Sequence, residues 1–139
     1  MLNDCMNFLL SVSQHKVFKY YSKLLQEYNI TPAQAGILTC LWSEKQLTPK
    51  EIGKRLCLEA PTISGLLDKM QKQELINREI DVNNRRIVFV TATEKADNMK
   101  PNIEKATKAM NQVVLSSFSD EEAILLKKFL NKIIHTELI

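Results

Sequence analysis

Apolar residues recur at three- and four-residue steps along the first part of the chain. Phe8, Leu9, Val12, Val17, Tyr20, Tyr21, Leu24, Leu25 and Tyr28 predict a long helix over residues 5–28. Asn29-Ile30 ends it, and Thr31-Pro32-Ala33-Gln34 opens a second helix. There Thr accepts a backbone N–H, Pro has its φ preset for the first position, and Gln reaches back to complete a capping box. Ile37, Leu38, Leu41 and Trp42 give that helix an inward stripe. Thr48-Pro49-Lys50-Glu51 repeats the device before a short helix carrying Ile52 and Leu56. The chain breaks at Cys57-Leu58-Glu59. Pro61 takes the place of a first helical residue, and Ile63, Leu66, Leu67 and Met70 turn the next helix toward the core.

The period then changes. Residues 75–80 and 87–91 are short and rich in β-branched side chains, and the polar run Asp81-Val82-Asn83-Asn84-Arg85-Arg86 lies between them. This predicts a β-hairpin with a charged tip. From Thr93 the helical period returns through Met99, Ile103, Ala106, Met110, Val113, Val114 and Phe118. Pro101 falls inside that run and predicts either a kink or the true start of the helix. Ser119-Asp120-Glu121-Glu122 caps a last helix carrying Leu126, Phe129, Leu130, Ile133, Ile134 and Leu138. The expected fold is mainly α with a small β-hairpin wing. A winged helix-turn-helix over residues 32–93 sits between helical segments 1–31 and 94–139, all in one compact domain.

Composition agrees with long helices and short connections: 139 residues contain only three Gly and four Pro. The net charge of +3 is small, but residues 45–90 hold nine Lys and Arg against six Asp and Glu, so this stretch carries the whole excess. That is the footprint of an anionic partner such as nucleic acid, although a solvated surface gives the same count. The three cysteines are widely spaced, which fits a reducing cytoplasm better than a disulfide scaffold. Met1 to Leu10 has no basic residue, unlike a signal peptide, and no apolar run is long enough to span a membrane.

A helix fits the DNA major groove and brings the side chains of its N-terminal part to base edges. Those residues are Ala60, Pro61, Thr62, Ser64 and Gly65, with Lys69 and Lys72 further along for phosphates. Thr62 and Ser64 have a second reading, as helix caps only. Arg85 and Arg86 on the hairpin tip are suited to a narrow minor groove, and Asn84 precedes them. A solvated turn is the plainer reading of that tip by itself. A single reader with so few charges binds weakly, whereas two linked readers add contacts and effective concentration. The apolar stripes of the terminal helices exceed what a reader of about 60 residues covers, so a homodimer is expected. An intramolecular bundle is the alternative.

In order and spacing these segments resemble the MarR family of transcriptional regulators, over nearly the whole chain. Leu75-Ile76-Asn77-Arg78, the loop 81–86 and Val88-Phe89-Val90-Thr91-Ala92-Thr93-Glu94-Lys95 carry the likeness. Pro61-Thr62-Ile63-Ser64 resembles the start of that family's recognition helix. The resemblance implies a homodimer on a pseudopalindromic operator of double-stranded DNA, usually repressing. Arg86 would be the minor-groove residue. Release by a small amphipathic ligand or by cysteine oxidation is also implied. Four departures stand out. Asn84 replaces an acidic wing residue that orients an Arg, a role left to Asn84 or Asp81, and Asn83 replaces a wing Arg. Gly65 stands where a basic residue is common, and Glu74 replaces a Gly after the recognition helix. The family's OhrR-type peroxide-sensing branch has its reactive Cys where this chain has Asn7. Tyr21 matches one of that branch's tyrosines.

Cys57, after Lys54 and Arg55, is the candidate redox thiol, with an inert thiol as the commoner alternative. His15, Lys16, Phe18 and Tyr20 could line a cleft between the first, second and fifth helices, or be ordinary core and surface. The scattered His and Cys form no short-range metal pair. No P-loop, dinucleotide turn, nucleophile elbow or HExxH is present, so no cofactor, metal or enzymatic activity is expected. The rival to DNA binding is a winged-helix module that docks on protein.

Overall fold

The computed structural model describes residues 1–139. Six helices and three strands follow one another as α1 Met6–Leu25, α2 Pro32–Ser43, β1 Gln46–Leu47, α3 Pro49–Leu56, α4 Ala60–Lys72, β2 Ile76–Ile80, β3 Val88–Ala92, α5 Glu94–Val114 and α6 Asp120–Ile134. The arrangement is mainly α with a small antiparallel sheet, as the hydrophobic periods predict.

Helix starts form where short polar side chains satisfy the free N–H groups. Thr31 Oγ1 accepts from Gln34 N at 3.3 Å while Gln34 Oε1 accepts from Thr31 N at 3.1 Å. Thr48 with Glu51 and Ser119 with Glu122 close the same reciprocal pair at α3 and α6. The bond from the Thr48 backbone N–H, helped by the Thr48 hydroxyl, holds the Glu51 carboxyl below its ordinary range. Thr93 Oγ1 caps α5 by accepting from Ala96 N at 3.2 Å. At α4 the cap residue is Glu59, which makes no side-chain bond, and Pro61 is the second helical residue rather than the first.

Several expectations are corrected. The first helix stops at Leu25 and continues as a tight 3-10 turn, Gln26–Tyr28, before left-handed Asn29. The hairpin is part of a three-stranded sheet in the order β1-β3-β2, with Leu47 opposite Val90 and Arg78 also opposite Val90 across the other edge. A two-residue strand leaves no alternating pattern to read. α5 runs through Pro101, because the Thr93 cap sets its start seven residues earlier than a proline start would. Phe118 and Leu138 lie beyond the ends of α5 and α6.

The core joins Leu25, Ile37, Leu38, Ile52, Ile63, Leu67, Met70, Ile76, Val90 and Ile103, with Leu66 half-buried against it. It draws one residue from α1 and none from α6. Met6, Leu9, Leu10 and Val12 of α1 are exposed, as are Ile124, Leu125, Phe129, Leu130, Ile133 and Ile134 of α6. The chain's only Trp, Trp42 of α2, donates through Nε1 to Asp97 of α5 at 3.1 Å.

Glu74 follows α4 at φ +60°, with Leu75 N bonded to Met70 O at 2.9 Å, which is a Schellman ending. A Cβ in left-handed backbone is strained, so Glu74→Gly removes strain while adding some unfolded-chain entropy. The expected net gain is about 0.5–1 kcal/mol, visible as a rise in Tm of about 2–4 °C in thermal unfolding.

Candidate nucleic-acid interface

α3 and α4 meet through a turn whose geometry depends on two residues. Cys57 adopts a left-handed conformation at φ 54°, and Leu58 N bonds Gly53 O at 3.0 Å. A Cβ on Gly53 would lie 3.0 Å from the Leu58 carbonyl oxygen, so a larger residue would push the turn open. Ile63, Leu67 and Met70 bury one face of α4 at helical spacing. The opposite face presents Pro61, Gly65, Asp68 and Lys72. Thr62 and Lys69 lie on one flank, with Ser64 and Gln71 on the other, and all are exposed. The Gly65 position is open, since a Cβ there would meet nothing within 4 Å.

The wing turn is built by two short side chains. Asp81 Oδ1 accepts from Asn83 N at 3.0 Å, and Asn84 Oδ1 accepts from Arg86 N at 3.1 Å. Ile87 N closes on Asn84 O at 3.0 Å. Asn84 therefore orients the Arg86 backbone and not a guanidinium, and Asp81 does not substitute for the missing acid. Both are Asx turns. Arg85 and Arg86 are exposed. The molecule's ion pairs are Arg55–Glu44, Arg78–Asp68 and Lys100–Glu104, so Lys69, Lys72, Arg85 and Arg86 carry unpaired charge.

Arg78 escaped the sequence reading as a site residue. From β2 its Nη2 donates to Asp68 Oδ1 at 2.8 Å and its Nε to Gln71 Oε1 at 2.7 Å. One planar guanidinium thus grips two residues of α4. It holds the wing beside the outer face of that helix and neutralises the one carboxylate on that face. Nothing in a single chain flags this contact, because the partners lie seven and ten positions away across a change of period.

The suggested cleft forms differently. A groove of about 420 Å³ between α2 and α5 is lined by Thr39, Trp42, Lys100 and Thr107, among others, and by none of His15, Lys16, Phe18 or Tyr20. Phe18 instead lines a depression of about 490 Å³ with Lys19, Ser22, Lys23, Gln34 and Lys69. Ser22 Oγ is buried there without a partner. Tyr21 Oη and Thr107 Oγ1 lie 2.7 Å apart, so this phenol ties α1 to α5. Among the thiols, Cys5 and Cys57 are exposed. Burial pushes the half-buried Cys40 thiol up, against the pull of Arg55. Arg55 is committed to Glu44 at 2.8 Å, which leaves Lys54, three residues before Cys57, as the nearest cation in the sequence without an ion-pair partner. No three His, Cys, Asp or Glu side chains converge as a metal site would need, and no helix is long and apolar enough to cross a membrane.

Comparison with known proteins places these features in context. Residues 30–88, from α2 to the start of β3, match the family model described as MarR family. The HTH-type transcriptional regulator MgrA of Staphylococcus aureus is 34% identical over 135 residues, covering 96% of this chain and 90% of the relative. The organic hydroperoxide resistance transcriptional regulator of Bacillus subtilis is 33% identical over 136 residues, covering 97% and 90%. Among solved structures, that of the S. aureus MepR–DNA complex superposes with a TM-score of 0.85 at 26% identity, covering 94% of this chain and 96% of that one.

Proposed function

Because the chain belongs to the MarR family, we propose that it is a DNA-binding transcriptional regulator that represses from a pseudopalindromic operator as a homodimer. The observation that carries this reading is the set of unpaired cations, Lys69 and Lys72 on α4 and Arg85 and Arg86 on the wing, beside exposed Thr62 and Ser64. Pro61, Thr62, Ser64 and Gly65 meet the bases and backbone of a major groove. Lys69 and Lys72 meet phosphates, and Arg86, steadied by Asn84 and flanked by Arg85, enters the adjacent minor groove. The activity is binding rather than catalysis, and as a DNA reader the protein works in the cytoplasm.

Segments 1–31 and 94–139 are the dimerisation region in this reading. α6 has no fully buried residue within its own chain, with only Ala123 and Leu126 half-buried, while exposing six large apolar residues. A second copy covers that face and puts two readers on one side of a duplex. The depression beside Phe18 suits a small amphipathic inducer, with a ring to stack on, Lys19, Lys23 and Lys69 for an anionic group, and the free Ser22 hydroxyl.

Selection of bound sequences from random duplex DNA tests the reading, and a two-fold symmetric motif is expected. Salt titration on that motif should give a log–log slope between about −5 and −7, the range for six to eight phosphates neutralised per dimer. No enriched duplex, or salt-insensitive association, would point to protein docking instead. For oxidative control we assign exposed Cys57. Peroxide should release the parent from its operator and leave Cys57→Ser bound; equal release of both removes Cys57 from that role.

A further inference from the structure

We propose that Gln73, the C-cap of α4, is a positioning residue that fixes the recognition helix against the dimerising helices, and so sets the half-site spacing the dimer reads. This rests on the operator-binding reading above.

Gln34 is the buried polar residue of the core, 1% exposed. A buried amide needs partners at both ends. Its Oε1 accepts from Thr31 N at 3.1 Å, and its Nε2 donates to Gln73 Oε1 at 3.0 Å. Gln73 Nε2 then donates to Asn29 O at 3.0 Å. The relay has one polarity only. It begins at a backbone donor and ends at a backbone acceptor, both on the α1–α2 connection, so neither amide can flip without opposing like atoms. On the other side of the same helix end, Lys95 Nζ donates to Gln73 O at 2.8 Å and Thr93 Oγ1 to Glu74 O at 2.7 Å. The last turn of α4 is thus gripped by the α1–α2 connection and by the start of α5.

The first turn of α4, which would read bases, is held by the packing of Ile63 alone; Glu59 makes no side-chain cap bond, and no hydrogen bond ties this end to α1 or α5. α4 is about 20 Å long, so a tilt of about 5° at Gln73 swings its reading end by about 2 Å. In a two-fold dimer both ends move, and the distance between the two readers changes with them. Any shift of α1 or α5 reaches the operator surface by this route.

The test uses full-length dimers of the parent, Gln73→Ala and Gln73→Glu. The Glu variant keeps the acceptor for Gln34 and loses the donor to Asn29. Each is titrated against the selected operator, against versions with one base pair added or removed between half-sites, and against a single half-site. Melting and sedimentation confirm folded dimers. The expected result is a fall of at least about tenfold in preference for the native spacing, with single half-site affinity unchanged. A parallel loss at every spacing, or an unchanged preference, overturns the proposal, and if the Ala variant does not fold, the Glu variant decides. A parent that prefers no duplex overturns the operator reading itself, and this role with it.

Discussion

Phe129→Asp is expected to turn the dimer into monomers and to lower operator affinity by at least about a hundredfold, since two readers on one duplex gain that much from being joined. Phe129 is 53% exposed on α6 and shares a stripe with Leu126, Leu130 and Ile133 at i, i+3, i+4 and i+7 spacing. A carboxylate there must be desolvated against an apolar partner face and, by two-fold symmetry, approaches its own copy. The reader should survive, because α6 supplies no residue to the buried core. Sedimentation should show half the parent mass at micromolar concentration, with residual, strongly salt-dependent binding to nonspecific DNA. A variant that stays dimeric removes α6 from the interface and returns the terminal helices to a monomeric bundle.

Arg86→Ala should weaken operator binding by about 1–3 kcal/mol per half-site, roughly five- to 150-fold for each, without altering the melting temperature or the dimer. The guanidinium forms no ion pair, so the substitution leaves no buried group unsatisfied. The Asx turn through Asn84 engages the backbone of residue 86, so Ala preserves the shape of the wing. The loss should concentrate on operators with A·T-rich flanks, whose narrow minor groove has the strongest negative potential. Fluorescence anisotropy on flank variants separates this from a general charge effect, for which Arg85→Ala is the control. Equal affinity of parent and Arg86→Ala would remove the wing from the binding surface.

Much of this arrangement was legible because its determinants are local. Thr31, Thr48 and Ser119 with their partners three residues on marked helix starts, and those capping boxes form as expected. The switch from a period of 3.6 to 2 marked the hairpin. What escaped were contacts between residues far apart in the chain. Arg78 reaches Asp68 and Gln71 only once β2 is laid along α4, and Gln34 meets Gln73 across 39 positions. β1 is defined by its partner β3 rather than by its own two residues. The bond from Arg86 N to Asn84 Oδ1 was not legible for a related reason. A wing polar residue suggests a side-chain partner, whereas a loop this short needs its own N–H groups satisfied first. The terminal helices were legible in part. Their apolar stripes showed an excess of greasy surface, but a stripe does not say whether the same chain or another one covers it.

The indole of Trp42, bonded to Asp97 across the seam between α2 and α5, has a practical consequence. As the only such ring in the chain, it is a built-in optical dye at the joint between α2 and α5. Its emission colour follows the wetness of that seam, so domain motion during titration with DNA or inducer can be watched in unlabelled protein.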